Sequence, residues 1–262
     1  MSAKIKLWEK KTILFNSKIN QDEPTITPYL VNKKKPTKCI LILPGGGYSH
    51  KADHEGKPIA KYFNKQGISC FVLNYRVAPY KFPVPLYDSL RAIKLIRFNA
   101  NKWNINTNKI GILGFSAGGH LASLTSNLYN YITDKQDNID KESGRPDFSI
   151  LCYPVITSNE KFWHRGSFIN LLGIKPNKPL LKKLSYEKLI NKNTQPTFLW
   201  HTAEDPGVPV ENSLLYAKQL SKYNIPFSLH IFPHGSHGLG LATNIESVNN
   251  WPKICTNWLK KL

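Results

Sequence analysis

Long apolar runs are absent from this sequence. No uninterrupted stretch is long enough to cross a bilayer, and the first ten residues are charged throughout. A transmembrane helix needs about 20 apolar residues, and a secretory leader needs an apolar segment of about 7 to 15. We therefore expect a soluble, cytoplasmic protein without a membrane partner.

Cysteines are few, and none of the four stands in the close pairs that zinc ligands form. They lie in apolar strand-like runs or in a terminal helical pattern, which predicts buried, reduced thiols. His50 and His54 are spaced i, i+4, but the glutamate of the zincin signature is missing. The glycine-rich segments carry neither the dinucleotide-binding spacing nor a phosphate-binding lysine. We expect neither a metal nor a cofactor.

Acidic residues are scarce, since 17 Asp and Glu stand against 36 Lys and Arg and give a formal net charge of +19. Such a charge can mark a partner that is a polyanion. The lysines are scattered, however, and only short runs such as 33–35 occur. No basic strand interleaved with aromatics and no recognition-helix pattern accompanies them, so we do not expect a nucleic-acid partner.

Apolar strand-like runs alternate with amphipathic helical patterns along most of the chain. This alternation predicts a mostly parallel sheet with helices on both faces, and 262 residues suit one α/β domain over 1–262. The predicted strands are 39–43, 69–75, 109–115, 148–155, 196–201 and 227–232, and the main predicted helices are 55–65, 86–103, 211–223 and 244–262. Residues 5–15 are expected to hold edge strands, 24–36 and 131–147 to be connections, and 157–193 to form a cap-like insertion.

The segment 109–122 reads as a buried strand that turns directly into a helix, with Ser116 at the corner. Gly114 and Gly118 flank the serine and remove side chains that would clash in so sharp a turn. This is the nucleophile-elbow pattern, in which a serine is held exposed for attack on an acyl carbon. Ser116 is the predicted nucleophile.

A serine nucleophile needs a histidine base and a carboxylate that orients it, and in doubly wound hydrolases the acid and then the histidine follow the serine in the chain. Glu204 and Asp205 follow one predicted strand, and His234 and His237 follow the last. Asp205 is favoured because a short carboxylate in a turn can be fixed rigidly, and His237 because it lies deeper in its loop. Glu204 and His234 remain the alternatives.

Three consecutive glycines, Gly45, Gly46 and Gly47, follow an earlier predicted strand. Glycines there let backbone N–H groups turn toward a substrate oxygen. Together with the N–H of Ala117, at the positive end of the helix after Ser116, they are predicted to hold a developing oxyanion.

Three side chains are candidates for contact with the substrate. Tyr48 follows the three glycines, and Trp163 and Arg165 lie in the insertion. Aromatic rings and a guanidinium suit stacking on and hydrogen bonding to a sugar, although the aromatics of the insertion could equally form its own small core. The insertion is polar and rich in lysine, so it offers little continuous apolar surface for a lipid tail.

From about residue 39 onward the chain resembles the α/β-hydrolase esterases known as acetyl xylan esterases or xylanase-B-like esterase/lipase proteins. The matching motifs are PGGGY at 44–48, NYRVAP at 74–79, GFSAGGHL at 114–121, CYPV at 152–155, HRGS at 164–167, LLG at 171–173, FLWHT at 198–202 and HGL at 237–239. Pro44 departs from related lipases, which carry a histidine before the glycines.

This resemblance implies an eight-stranded sheet, a triad of Ser116, Asp205 and His237, and an oxyanion hole at Gly46, Gly47 and Ala117. It also implies a serine carboxylesterase that removes acetyl groups from xylo-oligosaccharides or similar sugars. An arylformamidase or a short-chain, lipase-like esterase is the alternative. A non-catalytic protein on this fold would be expected to lack one of the three residues, and none is missing.

Overall fold

The computed structural model describes residues 3–131 and 137–262, and its strands form one eight-stranded sheet in the order β1-β2-β4-β3-β5-β6-β7-β8. The strands are β1 (Ile5–Lys6), β2 (Thr25–Tyr29), β3 (Thr37–Leu43), β4 (Ser69–Asn74), β5 (Ile105–Phe115), β6 (Ser149–Cys152), β7 (Thr197–Thr202) and β8 (Phe227–Phe232). Strands β3 to β8 pair in parallel, while β1 and β2 are antiparallel at one edge. The predicted mostly parallel, eight-stranded sheet is confirmed.

Helices cover both faces of the sheet. They are α1 (Lys57–Lys65), α2 (Val84–Phe98), α3 (Ala117–Asn127), α4 (Arg165–Leu172), α5 (Lys178–Lys183), α6 (Glu211–Lys222) and α7 (Trp251–Lys261). Successive residues of a strand point to opposite faces. Leu41 accordingly packs in the core beneath α2 and α3, whereas Ile40 and Ile42 pack in the core beneath α1 and α7.

The edge of the sheet differs from the prediction. Residues 24–36 were expected to be a connection, but Thr25–Tyr29 forms β2 and pairs antiparallel with β4. Proline lacks an N–H, so it fits only where one side of a strand needs no hydrogen bond. Pro28 satisfies this condition because β1 pairs only with Thr25 and Ile26. Within 5–15, the strand is limited to Ile5–Lys6.

Two helices have boundaries that differ from the prediction. Helix α7 begins at Trp251 rather than near 244, and α2 covers Val84–Phe98 rather than 86–103. Each has a proline in its first turn, where a missing N–H costs nothing. In the predicted connection 131–147, a short 3-10 turn occupies Ile139–Lys141, and residues 132–136 lie outside the described part.

A buried ion pair fixes the loop that follows β4. Arg76 Nη2 lies 2.6 Å from Asp88 Oδ1, and the Arg76 backbone N–H donates to Oδ2 at 2.8 Å. The two side chains are 1% and 0% exposed. Burial raises the pKa of Asp88, and the bonds from Arg76 offset only part of that effect. Two residues beyond Arg76, the N–H of Ala78 donates to the carbonyl of Tyr48, so this pair also supports the glycine-rich loop.

We expect Asp88→Asn to lower the free energy of unfolding by about 3 to 5 kcal/mol, because it leaves a buried guanidinium without its counter-charge. Urea unfolding should show a lower midpoint at an unchanged slope. Lys6→Gln is the matched control, since its ion pair with Glu23 is solvent-exposed and should contribute less than about 1 kcal/mol. Equal midpoints for the two variants would contradict the assignment.

Candidate active site

Ser116 stands at the junction of β5 and α3 in a backbone conformation that side chains rarely adopt, with φ 51° and ψ −118°. The turn is possible because both flanking glycines are in close contact with backbone. A Cβ on Gly114 would lie 2.1 Å from the carbonyl oxygen of Gly118, and one on Gly118 would lie 2.2 Å from that of Leu43. The Ser116 N–H donates to the carbonyl of Cys152 at 3.0 Å, which fixes the turn to β6.

Asp205 and His237 are brought to Ser116 from the loops after β7 and β8. His237 Nε2 lies 2.7 Å from Ser116 Oγ, and His237 Nδ1 lies 2.7 Å from Asp205 Oδ2. A carboxylate only accepts, so Nδ1–H donates to Asp205, and Nε2 is left to accept the serine proton. The Asp205 carboxylate is fully buried, while the His237 side chain is 24% exposed and can reach a bound ester.

The Asp205 carboxylate is held by four donors. Oδ1 accepts the N–H groups of Gly207 and Val208, at 2.8 and 2.9 Å. Oδ2, which accepts from His237, also lies 3.3 Å from His201 Nε2. Burial by itself would raise the pKa of Asp205, but the hydrogen bonds from His201 and His237 outweigh it and hold that pKa below its ordinary value. The carboxylate therefore stays ionised.

His201 was missed by the sequence analysis. It is fully buried, its Nε2 lies 2.9 Å from the carbonyl oxygen of Val208, and its Nδ1 lies 2.8 Å from Ser213 Oγ. Because a carbonyl only accepts, Nε2 carries a proton. His201 is thus a donor behind Asp205. Its position four residues before the acid, at a strand end, was the available signal.

The alternative acid and base pair with each other away from Ser116. Glu204 Oε2 lies 3.2 Å from His234 Nδ1, and Glu204 Oε1 accepts the N–H of Gly235. Their side chains are 57% and 73% exposed. Neither is positioned to orient or accept a proton at Ser116.

The glycine-rich loop has its carbonyl groups bonded to other parts of the protein. Their donors are Tyr75 OH for Pro44, the Ala52 N–H for Gly45, the Ser49 and His50 N–H groups for Gly46, and Asn170 Nδ2 for Gly47. The N–H of Gly45 is also taken, by Glu55 Oε2 at 2.6 Å. Within the described ranges, the N–H groups of Gly46, Gly47 and Ala117 have no bonded acceptor, which leaves them available to a substrate oxygen.

The three predicted substrate contacts lie in different surroundings. Tyr48 is 1% exposed, and its hydroxyl lies 2.8 Å from His120 Nδ1, so its ring cannot stack on a sugar and this prediction is wrong. Trp163 is half-buried and stacks on Phe168 at 6.0 Å between ring centroids, as part of the small core of the insertion. Arg165 is exposed at the first residue of α4.

His164, between these two residues, was not predicted as a site residue. Its Nδ1 accepts the N–H of Ser167 at 3.2 Å and so caps α4. Its Cε1 lies 3.9 Å from the point where a Cβ on Gly47 would stand. Burial, and then the nearby His237, lower the pKa of His164. A neutral imidazole therefore lies at the edge of the glycine-rich loop.

Across 3–131 and 137–262, no three His, Cys, Asp or Glu side chains come together in a way that could hold a metal ion. His50 Nδ1 lies 3.0 Å from Ser49 Oγ, and His54 Nε2 donates to the carbonyl of Gly238. Among the helices described, none has the length and apolar character needed to span a membrane.

The chain is similar to proteins of known name and structure. The BD-FAE family model matches residues 29–220. The chain is 41% identical over 232 residues to endo-1,4-beta-xylanase B of Butyrivibrio fibrisolvens, and the aligned region covers 87% of this chain and 36% of that protein. It is 36% identical over 230 residues to the acetylxylan esterase of Xylanibacter ruminicola, and this alignment covers 86% of this chain and 46% of that protein. The chain therefore spans less than half the length of these curated relatives.

A solved structure matches nearly the whole chain. The crystal structure of an acetyl ester-xyloside bifunctional hydrolase from Caldicellulosiruptor lactoaceticus is 48% identical, with a TM-score of 0.96. The match covers 99% of this chain and 96% of that one. Together with the strand order, the match confirms the predicted α/β-hydrolase fold.

Proposed function

Since this chain belongs to the BD-FAE family, we propose that it is a serine carboxylesterase that removes acetyl groups from xylo-oligosaccharides or similar acetylated sugars. The main support is the hydrogen-bonded series Ser116–His237–Asp205, with Ser116 held in a strained strand-to-helix turn. The names of the acetylxylan esterase and the acetyl ester-xyloside hydrolase support the choice of acyl group and sugar.

In the proposed reaction, His237 Nε2 takes the hydroxyl proton of Ser116 as its oxygen attacks the acetyl carbon. The carbonyl oxygen becomes an oxyanion and accepts from Ala117 and from Gly46, Gly47 or both. His237 returns the proton to the departing sugar oxygen, and an acetyl-enzyme remains. Water then attacks the acetyl carbon, with His237 again as base. The bond from Ser116 Oγ to that carbon breaks, His237 returns the proton to Oγ, and acetate leaves. Asp205 stabilises the imidazolium in both halves.

The insertion supports a short acyl group and a polar alcohol half. In this proposal residues 157–193 act as the cap of a single domain. Its seven lysines include Lys175, Lys178, Lys182 and Lys183. The ring of Trp163 on it stacks on Phe168 in the small core of the insertion, which reduces the apolar surface it can offer to a lipid tail. His164 lies beside Gly47 and Arg165 is exposed next to it in the chain, and both side chains suit hydrogen bonding to sugar hydroxyls.

A chain-length series tests the substrate class. We expect kcat/KM to be highest for acetyl esters and to fall toward octanoyl esters, with acetate released from acetylated xylo-oligosaccharides. Each buried CH₂ contributes about 0.8 kcal/mol, so a true lipid pocket would give a steep rise with length instead. A maximum at octanoyl would indicate a lipase-like esterase, and preference for a formyl amide would indicate an arylformamidase. Either result would contradict the carbohydrate assignment.

A further inference from the structure

Glu55 is a buried carboxylate that the proposed reaction does not use. It ends the short 3-10 turn Asp53–Glu55, just before α1, and is 2% exposed. Within the described ranges, its one ion-pair contact is His54 Nε2, at 3.8 Å, and the side chain of His54 is 57% exposed. Burying a carboxylate is costly unless its oxygens are hydrogen-bonded. The groups that bond it therefore indicate its role.

One oxygen of Glu55 holds the glycine-rich loop. Oε2 accepts the N–H of Gly45 at 2.6 Å. A Cβ on Gly45 would lie 2.7 Å from this oxygen and 3.1 Å from the Cβ of Ser116, so the carboxylate and the serine flank the same glycine. The bond fixes the Pro44–Gly45 peptide, which precedes the peptides that carry the N–H groups of Gly46 and Gly47, the proposed oxyanion donors.

The other oxygen reaches the loop that carries His237. Oε1 accepts the hydroxyl of Tyr153 at 2.6 Å, and the Tyr153 oxygen accepts the N–H of Gly240 at 2.9 Å. The Tyr153 ring packs edge-on against the His237 ring, with centroids 5.0 Å apart. Burial, and then the charge of Glu55, raise the pKa of Tyr153, so its hydroxyl stays protonated and can donate.

The same turn contacts the His237 loop a second time. His54 Nε2 donates to the carbonyl of Gly238 at 2.8 Å, one residue after His237. The turn 53–55 is thus bonded both to the loop with the oxyanion donors and to the loop with the base. A neutral amide in place of Glu55 would have to present an NH₂ group to one of two donors.

We propose that Glu55 is a positioning residue that sets the placement of the oxyanion donors relative to His237, an inference that rests on the proposed esterase function. The donors and the base act on the two ends of one transition state, so both need sub-ångström placement. The contacts given above for Glu55 do not include the cap, where the sugar is proposed to bind. Its loss should therefore lower kcat more than it raises KM.

The decisive variant is Glu55→Gln, which keeps shape and volume, with Glu204→Gln as the matched control from an exposed carboxylate. Active enzyme is first counted by fluorophosphonate titration, so that a loss of folded protein does not count as a loss of rate. We expect Glu55→Gln to lower kcat for an aryl acetate about 10- to 100-fold. KM should change by less than about threefold, and Glu204→Gln should behave as the unmodified protein.

A transition-state analogue provides a readout that a purely stabilising role would not change. A trifluoromethyl ketone adds to Ser116 and forms an oxyanion, so its inhibition constant should rise by the same factor as kcat/KM falls. Tyr153→Phe removes only the connection to His237 and should have a smaller effect. The double variant should be no worse than Glu55→Gln, because both changes interrupt one connection.

Three results would overturn the proposal, and they are distinguishable. If the unmodified protein neither hydrolyses acetyl esters nor reacts with the fluorophosphonate, both the proposed function and the positioning role of Glu55 are wrong. If it does both and Glu55→Gln retains kcat within about twofold, only the positioning role fails. If Glu55→Gln does not fold, Tyr153→Phe decides, and a kcat within about twofold of the unmodified value rejects the role.

Discussion

Replacing Ser116 with alanine should abolish both ester hydrolysis and covalent labelling by a fluorophosphonate. The hydroxyl is the only atom group removed, and it is the one that lies 2.7 Å from His237 Nε2. Loss of a serine nucleophile from such an array lowers kcat on the order of 10⁶-fold, and the residual rate comes from the oxyanion donors and binding. The fold should persist, because the backbone bond from Ser116 to Cys152 does not involve the side chain.

Ser123→Ala is the control for this variant. Ser123 lies on the same helix, α3, and is fully buried, so its removal tests the effect of losing a buried hydroxyl nearby. It should retain labelling and most of the activity. If Ser116→Ala kept a substantial rate while remaining folded, another nucleophile would have to be sought.

His237→Ala should lower kcat nearly as far as Ser116→Ala, and Asp205→Asn somewhat less, by about 10⁴-fold. Among the residues that the structure describes, the His237 imidazole is the base bonded to Ser116 Oγ, whereas the carboxylate acts by fixing its tautomer and stabilising its charge. Rates with an aryl acetate, normalised by folded protein, measure both effects. The hydrogen-bond pattern around Asp205 also predicts lower stability for Asp205→Asn at neutral pH.

The matched controls are His234→Ala and Glu204→Gln, which break the exposed pair in the same two loops. Both should keep substantial turnover. If Glu204→Gln were severe and Asp205→Asn mild, the acid assignment would be reversed.

The pH dependence follows from the direction of the Asp205 shift. The folded-state pKa of Asp205 is lowered, so its contribution to stability is present above the unfolded value of about 3.9 and is lost as pH falls through the lower folded value. The carboxylate is therefore ionised throughout the weakly acidic range. The pH profile of kcat/KM should therefore show no loss of activity through protonation of Asp205 in that range.

Local patterns predicted the centre of the sheet and the strand-to-helix turn, because these depend on runs of adjacent residues. The apolar run before Ser116 and the glycines beside it are sufficient to specify a buried strand and a tight turn. Strand β2 was missed because its Pro28 is acceptable only at a position unpaired on one side, and pairing is not visible in local sequence.

Side-chain roles set by distant contacts were the least predictable. Tyr48 follows the glycines as a substrate contact would, yet its ring is buried by a partner 72 residues away, His120. Glu55 lies in none of the matching motifs, and the motif that contains His201 does not indicate its contact with Asp205. The contacts of both residues form only when β6, β7 and the two loops are assembled. By contrast, Asp205 and His237 could be proposed from the sequence, because in this fold the serine, the acid and the histidine follow one another in a fixed order along the chain.

The side-chain amide of Asn170 joins the insertion to the glycine-rich loop. It lies on α4 in the insertion, and it donates to the carbonyl of Gly47 at 2.8 Å. Lys81 in turn holds the carbonyl of Asn170, so the link is braced from the β4–α2 loop. We therefore expect a change in the insertion that admits a different alcohol to disturb the glycine-rich loop as well. A transplanted insertion without an amide at this position is expected to lower turnover as well as to change the choice of alcohol.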